Sequence, residues 1–274
     1  MYMRVVVVKV KGNFTDALMK GFSSLCSSPG DCLKKYFKGK FASLKVNTLS
    51  GKMVSTTPEL SYSMGQIVLN HLGDEVIIWD RSEREMKHAG YRIKRRGTMK
   101  VIATDSPRVG YSQNLIVKGN IGSLFSRIQM AADVSVSIAV LKDHDIAGVT
   151  LAMKNYYGAI HNPNKYHDNG CNPFIPELFS CEPIVSRHIL SIIDVTKAQF
   201  HRGPAYHSRW YTRPGYIIMG QDPVAVDHFG WKFIEKLRQK AGLPPLKEEN
   251  REPVWLYTAE KMGLGSTKYE VIEL

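Results

Sequence analysis

The sequence predicts an α/β fold: an open, mostly parallel sheet with helices on both faces (Rossmann-like) and a long covering loop. Three observations carry this. Short runs rich in β-branched residues alternate with amphipathic stretches, the succession that builds a parallel sheet through right-handed crossovers. Polar residues collect where those runs end, and ligands of open α/β sheets bind outside the carboxyl ends of the strands. An Asn-, Pro- and Gly-rich segment at 161–183 is too long to be a plain connector, and its Phe, Tyr and Ile content favours an ordered cover over a site.

Taken in order, residues 4–10 (RVVVVKV) read as a buried strand. Thr15 is expected to cap a helix through Leu25, with Ala17, Leu18, Phe22 and Leu25 at helical spacing, and the SSPGD turn at 27–31 to end it. After a basic run at 34–40, a second strand from Phe41 brings Lys45 and Asn47 to its end. Thr57 then caps a helix with Pro58 in its first position and Glu59 in its first turn, stopped by Gly73. EVIIWDRS from Glu75 is a third strand, delivering Asp80 and Ser82. A helical stretch, EREMKHAG, leads to residues 97–123, a β-excursion or small lid. A helix at 123–132 feeds the strand at 134–142, and Lys142, Asp143, His144 and Asp145 crowd the end of that strand.

From Gly148 to His161 the period is helical. Val149, Ala152, Met153, Tyr156 and Ile160 fall on one face, and Thr150, Lys154, Tyr157 and His161 on a separate stripe. Beyond the covering loop, 188–194 reads as a strand ending in Asp194, followed by a segment with His201, Arg202, Gly203, His207 and Arg209. A strand at 216–219, a long helix opened by Pro223 and running to about Lys240, a short helix near 255–262 and an edge strand at the end complete the chain. No repeat and no domain linker interrupts it, so one α/β domain over 1–274 is expected.

At 274 residues, 43% hydrophobic and 23% charged, the composition is that of a globular chain able to bury a large core. No apolar run approaches the roughly 20 residues of a membrane span. MRVVVVKV lacks the succession of a secretory signal, so a cytoplasmic location is expected. The four cysteines, Cys26, Cys32, Cys171 and Cys181, contain no CxxC pair, which argues against an iron-sulfur cluster or zinc ribbon and predicts free, mostly buried thiols. The net charge of +12 suits an anionic small molecule or a nucleic acid.

The motif LKDHDIAGVTLAMKN at 141–155 resembles the hallmark of the family called domain of unknown function 362, a strand ending in an LK-x-H step followed by an LTGVT-x-AMKN segment. The resemblance extends in order through KVN, TTPEL, WDRS, NGCNPFIPEL, IIDVTKAQFHRGP, GQDPVAVD and GLG, nearly the whole chain. Some relatives append a ferredoxin-like cysteine cluster or an export signal, and neither is expected of this chain. Many relatives carry a His before the Pro where Thr57 stands here.

The favoured chemistry is acid–base catalysis on an anionic substrate. Lys45, Lys142 and Lys154 would supply the positive field and His144 a group titrating near neutral pH, with Asp80 or Asp194 orienting it. The catalytic candidates are therefore His144, Lys154, Lys142 and Asp80. The substrate-binding candidates are Lys45, Asn47, Thr57, Asn155, His161 and Arg202. Lys154, if desolvated beside Met153 and Tyr157, is also a candidate base or Schiff-base amine. A divalent metal is a candidate cofactor, held by His144, Asp143 and Asp145 with Asp80 nearby. No GxGxxG, GxxxxGK[ST] or GxSxG fingerprint is present, which argues against a nucleotide cofactor and a serine nucleophile. The alternative is a basic nucleic-acid-binding or metal-binding protein, in which RIKRR, KKYFKGK and HRGPAYHSRWYTR interleave charge with aromatics.

Overall fold

The chain is described by a computed structural model, which covers residues 3–274. Its strands are β1 (Met3–Lys9), β2 (Phe41–Val46), β3 (Glu75–Asp80), β4 (Met99–Ala103), β5 (Ile116–Lys118), β6 (Ile121–Ser123), β7 (Val134–His144), β8 (Gly148–Thr150), β9 (His188–Gln199), β10 (Tyr211–Thr212), β11 (Tyr216–Gly220) and β12 (Tyr269–Glu273). The helices are α1 (Phe14–Leu25), α2 (Pro29–Tyr36), α3 (Pro58–Leu72), α4 (Glu83–His88), α5 (Arg127–Ala131), α6 (Ala152–Asn155), α7 (Phe174–Phe179), α8 (Glu182–Val185), α9 (Pro223–Lys240) and α10 (Trp255–Lys261).

Ten strands form one sheet in the order β12-β1-β11-β9-β7-β2-β3-β4, with β8 added to β7 and β10 to β9. The neighbours β9-β7-β2-β3-β4 are all parallel, as is β12 to β1, while β11 runs antiparallel between β1 and β9. The expected α/β class and mostly parallel sheet are therefore present.

Both faces are covered, which explains the uninterrupted apolar run of β1. Val5 and Val7 enter the core beneath α6, α7, α9 and α10, whereas Val6 and Val8 enter the core beneath α1, α2, α3 and α4. In β2, Ala42, Leu44 and Val46 likewise face the second core. Their alternates Ser43 and Lys45 face the first, and both are buried there. A polar seam follows from that alternation: the Trp79 indole N–H donates to Ser43 Oγ at 2.7 Å, and Asn155 Nδ2 donates to Ser137 Oγ at 3.0 Å.

The chain leaves β2 through α3 on one face and leaves β7 through α6, α7 and α8 on the other. Adjacent parallel strands whose crossovers depart to opposite faces leave a crevice at their carboxyl ends. That crevice positions the candidate site.

Several local expectations are corrected. Asn13, not Thr15, caps α1, its side chain accepting from Asp16 N at 2.8 Å. The SSPGD turn also starts α2, with Ser28 as its cap. That turn brings the Cα atoms of Cys26 and Cys32 to 5.4 Å, and the two form a disulfide, so only Cys171 and Cys181 are the free, buried thiols expected of all four. The helix expected over 148–161 is broken. Gly148 (φ 78°) lets residues 148–150 fold back on β7 as β8, and only residues 152–155 are α-helical before a 3₁₀ turn at Tyr156–Ala159. The apolar residues of that stretch are nonetheless all buried.

The strand expected to end at Asp194 continues to Gln199. The segment 161–183 folds into 3₁₀ turns at Pro163–Tyr166 and Asn169–Cys171, then α7 and the start of α8. Its first part lines the crevice, while Cys171, Ile175, Leu178 and Phe179 pack into the core. Among the described residues, no helix is long and apolar enough to cross a membrane.

Candidate functional site

A cleft of about 680 Å³ opens at the carboxyl ends of β2, β3 and β7. It is lined by Lys45 and Asn47 from β2 and its exit, Asp80 from β3, Lys142 and His144 from β7, Lys154 and Asn155 from α6, and His161 and His167 from the start of the covering segment. Eight of the ten residues expected to act catalytically or bind substrate are thus brought together.

At its base, Lys45 Nζ donates to Asp80 Oδ1 at 2.7 Å, to the Val46 carbonyl at 2.7 Å and to Asn155 Oδ1 at 3.2 Å. Asp80 Oδ2 accepts from the amide and the hydroxyl of Thr48, each at 2.7 Å, and Oδ1 also accepts from Arg81 N at 2.7 Å. Burial pushes the Asp80 carboxyl up, but the Lys45 charge and these donors outweigh it and hold the group below the ordinary carboxylate range. Asp80 is therefore an ionised anchor with every lone-pair direction committed, not the proton-transfer group expected of it. Gly158 allows this packing: a Cβ there would sit 2.7 Å from both Asp80 Oδ1 and Lys45 Nζ.

Lys142 is fully buried. Its three N–H bonds go to neutral oxygens: Asn47 Oδ1 at 3.0 Å, the Leu49 carbonyl at 3.0 Å and the Val54 carbonyl at 3.1 Å. Desolvation, opposed by Asp80 and assisted by Lys154, lowers the amine to about 7. The ammonium ties the loop after β2 to the end of β7.

Lys154 is different. Its one hydrogen bond is to His167 Nε2 at 3.1 Å, and its Nζ lies 4.1 Å from the centre of the Tyr157 ring. Desolvation lowers it to about 8, against the pull of Cys171 and Asp145. His167 Nδ1 lies 3.1 Å from the Pro163 carbonyl, an acceptor, which places the ring proton on Nδ1 and leaves Nε2 as the lone pair facing the amine.

His144 has the opposite tautomer. Its Nδ1 accepts from Ile146 N at 3.2 Å and Ala147 N at 3.3 Å, so the neutral ring carries its proton on Nε2. Asp145 Oδ1 lies 3.2 Å from that Nδ1 but accepts from the same Ile146 N–H, so the contact is between two acceptors and is no ion pair. Burial first, then the charge of Lys154, drives His144 down to about 2. The two imidazoles stack, centroids 5.6 Å apart and 21° from coplanar. His144 is thus a neutral Nε2–H donor, whereas His167 turns an unprotonated Nε2 towards Lys154.

The expected metal set does not converge. Asp143 is held by Arg251 Nη1 at 2.9 Å and Gly203 N at 2.8 Å, outside the cleft, and Asp145 is exposed. Among the described residues, no group of three or more His, Cys, Asp or Glu could hold a metal ion. Arg202 is likewise misplaced. It is exposed, because the HRGP turn packs on β7 so tightly that a Cβ on Gly203 would meet the Asp143 carbonyl at 1.9 Å. Thr57 lies outside the cleft too, its amide donating to Asp194 Oδ2 at 2.8 Å. Asp194 therefore fixes the start of α3 and orients no histidine. Asn155 is in the cleft wall, but its amide is spent on Lys45 and Ser137.

Two contributors had no role readable in sequence. Glu85 of α4 lines the cleft as a half-buried carboxyl, pushed up by desolvation and by Asp80. Asp227 of α9, fully buried, accepts from Ala152 N and Met153 N, each at 2.8 Å, and so caps the turn that carries Lys154. Burial raises it to about 7 against those two amides. Its motif, GQDPVAVD, was visible, but the partners lie 75 and 74 residues away.

The fold is similar to the lactate racemase apoprotein from Thermoanaerobacterium thermosaccharolyticum, with a TM-score of 0.51 and 12% identity. The match covers 85% of this chain and 57% of that one, so this chain spans little more than half of its neighbour. None of the curated proteins matches the sequence. The family model described as "Domain of unknown function (DUF362)" matches residues 43–232, which include all of the cleft described above. The chain belongs to that family.

Proposed function

We propose that the protein is an enzyme performing acid–base chemistry on an anionic small molecule held in this cleft. The observation that carries the reading is a charge imbalance. Three buried lysines meet in one cavity whose one buried carboxylate, Asp80, is already consumed by Lys45. Desolvated cations attract an anion more strongly than exposed ones do, because little solvent screens them. His144 Nε2–H and the Asn47 amide supply oriented donors. Lys154 and His167 form a hydrogen-bonded pair with the geometry to pass a proton.

The test is calorimetric titration with small carboxylates and phosphate, together with mass spectrometry of whatever small molecule co-purifies. An anion should bind wild-type protein, and Lys154→Ala and His144→Ala should abolish turnover of the molecule so identified with little change in melting temperature. Absence of any anion binding would remove the reading. So would unfolding of both variants, which would make the two residues core components only.

A further inference from the structure

We propose that Lys154 is a covalent catalytic residue, its Nζ condensing with the carbonyl carbon of an oxo acid to form an imine. This rests on the reading that the cleft binds a small anion, and it narrows that anion to one bearing an aldehyde or ketone.

The argument is one of hydrogen-bond capacity. An amine attacks a carbonyl through its lone pair, so a lysine whose Nζ is committed as a three-fold donor cannot react. Around Lys142 Nζ stand three neutral oxygens, and around Lys45 Nζ a carboxylate, a carbonyl and an amide oxygen, so every hydrogen-bonding direction of both is occupied and no carbonyl carbon can approach. Lys154, 5% exposed and lining the cavity, has a single hydrogen bond. Its partner is the unprotonated Nε2 of His167, so the contact has the direction needed to withdraw a proton. This is a nucleophile beside a base that a third group, the Pro163 carbonyl, orients. The Asp227 clamp on α6 holds the amine in place from behind.

The step balances without a co-reactant. The Lys154 ammonium gives one proton to His167 Nε2, and the free amine adds to the carbonyl carbon as the C=O π pair moves to oxygen. The carbinolamine oxygen takes up the proton returned by the imidazolium and a second proton from nitrogen, and leaves as water. The sum is ammonium plus carbonyl giving iminium plus water, with the positive charge kept on nitrogen. His144 Nε2–H, stacked beside His167, donates to the developing oxygen or to the carboxylate.

The experiment uses glyoxylate, the smallest molecule with both functions, and sodium borohydride, which reduces an iminium to a stable secondary amine. The 274-residue protein is treated at pH 6, 7, 8 and 9 and the modified lysines are mapped by peptide mass spectrometry. The groups facing Lys154 are His167, His144, Tyr157, Cys171, Asp145 and the Lys142 amine, and none is an ion-paired carboxylate. Lys154 should therefore be labelled at least tenfold faster than any exposed lysine at pH 7, with the advantage shrinking towards pH 9. Lys154→Arg should lose the label while keeping glyoxylate binding, and His167→Leu should slow labelling while Lys154 remains present.

Glyoxylate that binds by calorimetry but leaves Lys154 unlabelled would overturn the imine and spare the anion reading. Labelling spread evenly over surface lysines, and unchanged in Lys154→Arg, would also overturn it. Failure of glyoxylate and of every other small anion to bind would remove both.

Discussion

Replacing Asp80 by Asn probes the base of the cleft most directly. The carboxylate accepts four hydrogen bonds, from Lys45 and Arg81 on Oδ1 and from the two Thr48 donors on Oδ2, each at 2.7 Å. An amide keeps one acceptor oxygen. Turned one way, its NH₂ confronts the Lys45 ammonium and the Arg81 amide; turned the other way, it confronts the Thr48 amide. In both orientations Lys45, whose side chain is 1% exposed, loses its counter-charge.

Breaking one side of a buried, hydrogen-bonded pair costs about 3–5 kcal/mol. The unfolding free energy of Asp80→Asn, read from its urea midpoint at an unchanged slope, should fall by that much. Lys45→Met combined with Asp80→Asn should recover a coupling of about 2 kcal/mol, because no buried charge is then left alone. A loss below about 1 kcal/mol for the single variant, or strictly additive losses in the cycle, would refute the buried-pair reasoning.

Other consequences are equally measurable. Gly158→Ala drives a methyl into the same pair and should cost about 2 kcal/mol or more, read in the same urea titration. Asp227 is raised from 3.8 to about 7, so the native state holds a proton that the unfolded chain releases between those values. Its contribution to stability is fully present below 3.8 and is lost as pH rises towards 7, at up to about 1.4 kcal/mol per pH unit. Asp227→Asn should flatten that stretch of the stability profile. Lys142 has the opposite linkage: its amine is lowered from 10.5 to about 7, so the unfolded chain binds the extra proton and stability rises with pH across that window. Lys142→Met should abolish the rise, at a cost of about 1–3 kcal/mol for each carbonyl left without its donor.

Much of the architecture was readable from the chain alone. The α/β class, the cap and stop of α3, the Pro223 start of α9, the short helix at 255–261 and the terminal edge strand all follow from local rules about periodicity, proline and glycine. So does the meeting of Lys45, Asp80, Lys142 and His144, because residues at the ends of adjacent parallel strands must share an edge.

Tertiary structure decided the rest. Periodicity read 148–161 as one helix, since it is blind to the pairing of residues 148–150 with β7 and to the Asp227 clamp from α9. Arg202, Thr57 and Asp143 are chemically suited to a site, and only packing shows that they are exposed or already engaged outside it. The same holds for roles within the cleft. Residue type makes His144 and Asp80 acid–base candidates, but a ring nitrogen facing two backbone amides and a carboxylate filled by four donors have no proton to exchange. A side chain's identity states what it can do; the neighbours that claim its lone pairs and protons determine what it is left free to do.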